Sequence, residues 1–225
     1  MDGFKAVLWD LDDTLYSRRQ SVLEMYPGLL AECVYENRSE EFLREAAAFL
    51  MSRMARSMTD IKGFQALLER FPGDKPFDHA QCMAYYYAHI LSYARMAPGA
   101  VEILQRLKNQ GIRLALVTNI IPELLAYQRK KVEKLCIADY FVAVIYSGDF
   151  GIPKPVRRIL DHAASLLGAA NEECLFVGDD PDADVTGALN AGMEVVWLDH
   201  RNTDHRFRDD PRVHRVKSLT EYFGE

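Results

Sequence analysis

The stretch Val7-Leu8-Trp9-Asp10-Leu11-Asp12-Asp13-Thr14-Leu15 places two carboxylates two residues apart at the end of a short apolar run. That run reads as a strand, and a strand that stops in Asp-x-Asp-x-Thr must release its chain into a loop. There, alternate side chains and a free backbone carbonyl can converge on one metal-bound phosphoryl group. The pattern points to a nucleophile beside an acid/base.

Three later segments follow, each closing an apolar run: Leu114-Ala115-Leu116-Val117-Thr118-Asn119, Gly151-Ile152-Pro153-Lys154-Pro155, and Leu175-Phe176-Val177-Gly178-Asp179-Asp180-Pro181-Asp182-Ala183-Asp184. In this order the four motifs resemble the haloacid dehalogenase-like hydrolase superfamily, over the whole chain outside roughly residues 17 to 96. The resemblance implies that Asp10 attacks phosphorus and becomes a transient aspartyl-phosphate. Asp12 would be the acid/base, starting neutral among like charges, with its backbone carbonyl on the metal. It further implies Mg²⁺ held by Asp10, the Asp12 carbonyl and Asp179, with Asp184 a direct or water-mediated ligand. Thr118 and Asn119 would bind the phosphoryl oxygens, and Lys154 would offset charge on the nucleophile and phosphoryl group.

The same motifs separate chemistries within the superfamily. Family dehalogenases usually lack the second Asp, mutases commonly carry Val where Thr14 stands, and phosphonate-cleaving relatives replace the second Asp with a small residue. Asp12 and Thr14 therefore favour a phosphatase, a phosphomonoester hydrolase. One departure is Trp9, where the family more often has a smaller apolar residue, and it raises the question of what packs behind the site.

From residue 97 onward strands and helices alternate, as expected for an α/β, doubly wound Rossmann-like parallel sheet. Strands are expected near residues 4–9, 113–117, 142–146, 174–177 and 194–198, and helices over 98–109, from 122, over 155–167 and over 182–191. Residues 19–95 instead read as an inserted α-helical cap, with helices at Glu40–Met58, Ile61–Glu69 and Asp78–Tyr93 and breaks at Pro27-Gly28, Asn37-Arg38 and Pro72-Gly73. The expected organisation is a catalytic core of 1–18 and 96–225 with the cap at 19–95. By resemblance such a cap screens the reaction from water and selects a small phosphorylated metabolite.

The 225 residues carry a formal net charge of −6, which argues against nonspecific nucleic-acid binding through a basic face. Cys33, Cys82, Cys136 and Cys174 are scattered without a Cys-x-x-Cys pair, so neither a zinc site nor a redox pair is indicated. The N-terminus leaves no room for a signal peptide before the first strand, and apolar runs are too short to cross a bilayer, so a cytoplasmic enzyme without a membrane role is expected. Nothing in the sequence fixes an oligomeric state.

Blander readings stand beside these. Thr118 could be only a helix N-cap, Asp184 only a helix-start acid, and Lys154 a solvated lysine. Arg18 and Arg19 could reach a leaving group or merely sit exposed, and Tyr85, Tyr86 and Tyr87 could line a pocket or pack within the cap. His200, His205 and His214, with the arginines from Arg201 to Arg215, read as a solvated loop. Two other functions fit the same motifs: phosphoryl transfer to another hydroxyl, and a catalytically silent metabolite-binding module.

Overall fold

The computed structural model describes residues 3–54, 60–200, 206–207 and 209–224. The chain divides into two compact units, one of Arg18–Arg95 and one of Met1–Ser17 with Met96–Glu225.

The first unit is helical: α1 (Arg18–Cys33), α2 (Glu40–Arg53), α3 (Ile61–Arg70) and α4 (His79–His89), with a 3₁₀ turn over Ile90–Tyr93. Ser39, Asp60 and Asp78 cap α2, α3 and α4 by accepting hydrogen bonds from first-turn amides. The expected break at Pro27-Gly28 does not occur, because α1 runs through it. An interior proline costs a helix about 3 kcal/mol, and burial of Val22, Met25, Tyr26, Leu29 and Leu30 on this helix outweighs that. Gly28 has a packing reason, since a Cβ there would lie 2.7 Å from the Tyr85 hydroxyl. Tyr85 thus packs within this unit, as do Tyr86 and Tyr87, edge to face at 5.2 Å. The expected helix to Met58 ends at Arg53, and Met58 lies outside the described residues.

The second unit is a Rossmann-like α/β fold. Strands β1 (Ala6–Trp9), β2 (Arg113–Thr118), β3 (Ala143–Tyr146), β4 (Cys174–Gly178), β5 (Glu194–Leu198) and β6 (Val213–Val216) form one sheet in the order β3-β2-β1-β4-β5-β6. Every pairing is parallel. Helices α5 (Ala100–Asn109), α6 (Leu125–Lys134), α7 (Ser147–Phe150), α8 (Arg157–Leu166), α9 (Thr186–Ala191) and α10 (Leu219–Phe223) lie between or after the strands. A parallel sheet is buried on both faces, which is why β1 and β4 are apolar without alternation. Leu8, Val117, Phe176 and Val195 share one core cluster with Ile159, Leu160 and Ala163 of α8.

Two features depart from expectation. The C-terminal segment read as a solvated loop contains β6, whose Val213 and Val216 pair with Val195 and Leu198. His214 meets Glu194 at 2.7 Å and Arg215 bonds Asp199, so the polar residues of this edge strand are held by its neighbour. Arg201 and His205 lie outside the described residues. The helix expected from Asp182 begins instead as a wide π turn over Pro181–Val185. Trp9 is fully buried and stacks on Phe223 of α10 at 5.4 Å between centroids, which accounts for its size behind the site. Among the described residues no helix is long and apolar enough to cross a membrane.

Candidate active site

Because β1 lies between β2 and β4 and all three run the same way, the residues that follow them emerge together at one sheet edge. Register fixes this, since Trp9 is level with Leu116 and Val177. Asp10 comes next on β1 and its N–H donates to Val177 O at 2.8 Å, so the carboxylate is set by an extension of the β1–β4 ladder. The chain then turns tightly. Leu11 O accepts from the N–H groups of Thr14, Leu15 and Tyr16, and Asp13 adopts a left-handed φ of 61°.

Asp10, Lys154 and Asp184 are all buried. Lys154 Nζ lies 2.6 Å from Asp10 Oδ1 and 2.7 Å from Asp184 Oδ1. The other Asp184 oxygen accepts from the backbone N–H groups of Asp179 and Asp180, both at 3.1 Å, and so shapes the loop after β4. Carboxylate oxygens of Asp10, Asp179 and Asp184 all lie within 4.8 Å of one another. Such an all-oxygen set suits a hard divalent cation. Burial pushes the Asp10 carboxyl up to about 7; Lys154 opposes the shift and the Asp184 charge adds to it. Burial by itself would lower the Lys154 ammonium, but Asp10 and Asp184 outweigh it and hold that group above its ordinary value.

Asn119 does not stand alone after β2. Its amide brackets the Lys154 backbone, donating to Lys154 O at 3.0 Å and accepting from Lys154 N at 2.9 Å. It thereby ties the third motif to the end of β2. Thr118 is buried, and its Oγ accepts from Gln128 Nε2 at 2.8 Å. Asp180 caps the turn that follows it, and Asp182 pairs with Arg206 at 2.7 Å. Arg18 and Arg19 open α1 in the helical unit.

Asp12, expected to start neutral among like charges, instead faces a cation, and its partners were not announced by the sequence. Lys131 Nζ lies 2.6 Å from Asp12 Oδ1, and Gln128 Nε2 donates to Asp12 Oδ2 at 3.0 Å. Both come from α6, where Gln128 and Lys131 look in sequence like part of the polar run Gln128-Arg129-Lys130-Lys131. Their i, i+3 spacing was the available signal, since it puts them on one helix face. His200, read as part of a solvated loop, bonds the Asp13 carbonyl through Nε2 at 2.7 Å.

A family model described as haloacid dehalogenase-like hydrolase matches residues 4–192. The chain belongs to the haloacid dehalogenase-like hydrolases. It is 32% identical to a glyceraldehyde 3-phosphate phosphatase of Methanopyrus kandleri over 203 residues, 86% of this chain and 83% of that protein. A phosphoserine phosphatase of Thermus thermophilus is 40% identical over 124 residues, 54% of this chain and 49% of the relative. The magnesium-bound structure of YfnB from Bacillus subtilis superposes with a TM-score of 0.72 at 21% identity, covering 97% of this chain and 96% of the other, and shares the fold. Relatives of this chain thus include phosphatases of the superfamily.

Proposed function

We propose that this hydrolase is a Mg²⁺-dependent phosphatase that cleaves a small phosphorylated metabolite through an aspartyl-phosphate on Asp10. The observation that carries the reading is the convergence of Asp10, Asp179 and Asp184 oxygens beside the Lys154 ammonium at the sheet edge. Relatives named for glyceraldehyde 3-phosphate and phosphoserine support a small phosphomonoester as substrate.

In this reading the negative charge of the incoming phosphate favours the protonated form of Asp12, an Asp10 oxygen bonds to phosphorus as the ester P–O bond breaks, and the departing alkoxide takes the Asp12 proton. Water then bonds to phosphorus, gives a proton to Asp12, and the P–O bond to Asp10 breaks, releasing inorganic phosphate. Asp10, the Asp12 carbonyl, Asp179 and Asp184 would hold Mg²⁺, which when bound supplies positive charge to the phosphoryl oxygens. Lys154 supplies a fixed cation at the nucleophile, and Thr118 and Asn119 order the edge that meets the phosphoryl group. We assign to Arg18–Arg95 the role of a substrate-selecting cap, an assignment supported by its insertion directly after the first motif. The free thiols Cys33, Cys82, Cys136 and Cys174 suit a reducing, cytoplasmic compartment.

The test is phosphate release from a panel of phosphorylated metabolites with Mg²⁺ and with chelator, using Asp10→Asn as control. Metal-dependent release that the variant lacks is expected. Undiminished turnover by Asp10→Asn would refute the mechanism, and transfer to added alcohols without phosphate release would favour a phosphotransferase.

A further inference from the structure

We propose that Lys131 and Gln128 of α6 are positioning residues that lock the Asp12 carboxyl and the Thr118 hydroxyl into one array, so that α6 sets the acid/base relative to the phosphate-binding edge. The inference rests on the phosphatase reading above.

Both Asp12 oxygens are engaged, Oδ1 by Lys131 Nζ at 2.6 Å and Oδ2 by Gln128 Nε2 at 3.0 Å. A carboxyl held at both oxygens by two side chains of one helix has little rotational freedom about its last bond. The same Gln128 nitrogen donates to Thr118 Oγ at 2.8 Å. Because the amide –NH₂ has two hydrogens, it can serve both acceptors, and a carboxylate partner requires that the nitrogen be the atom placed there. With Oγ accepting from Gln128, the Thr118 hydroxyl keeps its own hydrogen to donate to a phosphoryl oxygen.

Neither residue is explained by stability alone. Lys131 is 3% exposed, and a buried ammonium is costly unless paired. It is surrounded by Asp12 and by the rings of Tyr16 and Tyr127, at 5.0 and 5.1 Å from their centroids. Gln128 is fully buried, and among the described residues its Oε1 accepts no hydrogen bond. An apolar side chain at either position would spare the burial of that polar group but would leave Asp12 short of a partner, so each is retained for what it holds. Retaining two such groups against Asp12 and Thr118 is what a positioning role requires. The geometry of a reacting group matters steeply, since a displacement of about 1 Å can cost about 100-fold in rate.

The experiment compares Lys131→Met and Gln128→Leu with wild type and Asp10→Asn on p-nitrophenyl phosphate, whose leaving group needs little protonation. In Lys131→Met we expect kcat to fall about 10- to 100-fold with KM changed less than about threefold, because general acid–base catalysis contributes roughly 100- to 10,000-fold. Hydrolysis of the aspartyl-phosphate, which needs Asp12 as base, should then limit turnover. A rapid burst of about one equivalent of nitrophenolate and trapping of the phosphoenzyme from labelled substrate would show it. Gln128→Leu should in addition weaken inhibition by inorganic phosphate, and Lys131→Met should not. The proposal is overturned if both variants keep kcat within about twofold, or if Lys131→Met raises KM alone, which would make Lys131 a substrate-binding group. Should Lys131→Met fail to fold, Gln128→Leu decides by the same criteria. Persistent turnover in Asp10→Asn would instead overturn the underlying reading, so the two failures are distinguishable.

Discussion

Lys154 Nζ stands 2.6 Å from Asp10 Oδ1 in a buried ion pair, and the same ammonium is shared with Asp184 at 2.7 Å. One cation thus serves two buried carboxylates. In the absence of metal the site carries more negative than positive charge.

Lys154→Met should be strongly damaging. Removing one partner of a buried pair typically costs about 3–5 kcal/mol because the remaining charge is stranded. Two carboxylates would be stranded here, so thermal unfolding should shift down sharply. Activity should fall at least about 100-fold even where the variant folds, since loss of a fixed charge at a reacting centre has that scale. A variant with normal melting and normal turnover would contradict this account of the site.

Burial pushes the Asp10 carboxyl up to about 7, against 3.8 for the group in an unfolded chain. Between these values the folded protein binds the additional proton, so this group's contribution is fully present at low pH and is lost as pH rises toward the folded value. Metal-free protein should therefore lose stability between about pH 5 and about pH 8 relative to Asp10→Asn. Metal ligation needs the carboxylate, so Mg²⁺ should raise Tm more at about pH 8 than at about pH 5.5. Equal gains at both would remove Asp10 from the metal set.

Gly178 ends β4 where no side chain fits. A Cβ at this position would lie 2.4 Å from Asp184 Oδ2 and 2.5 Å from its Cγ. Gly178→Ala must therefore move Asp184 away from Lys154 and from the Asp179 and Asp180 amides. We expect roughly a 100-fold loss of kcat/KM together with weaker Mg²⁺-induced stabilisation. Unchanged metal response would show that Asp184 is dispensable for the ion.

The thiols should report the packing independently. Burial pushes Cys82 up to about 12 and Cys174 up to about 11, and raises Cys33 as well, whereas Cys136 is exposed. At about pH 8 native protein should show one fast thiol toward an aromatic disulfide reagent, because the thiolate is the reactive form. Denaturant should release all four. More than one fast thiol in the native state would mean that one of these cores opens readily.

The sequence by itself determined the strand-and-helix alternation, the parallel sheet and the ends of β1, β2 and β4, because apolar runs and turn residues encode local geometry directly. It also determined which polar residues those ends carry, and a parallel sheet with β1 between β2 and β4 necessarily brings them to one edge. Tertiary structure alone decided what meets them. Lys131 and Gln128 reach Asp12 across 119 and 116 residues of chain, and although their i, i+3 spacing puts them on one helix face, it does not say what that face meets. The same holds for β6, too short to show a period, for Pro27, carried inside α1 by packing, and for Trp9, whose size finds its partner only in Phe223. Period and turn chemistry are properties of neighbours along the chain. The direction in which a helix face docks is set by contacts between distant segments, and the environment of Asp12 belongs to that second class.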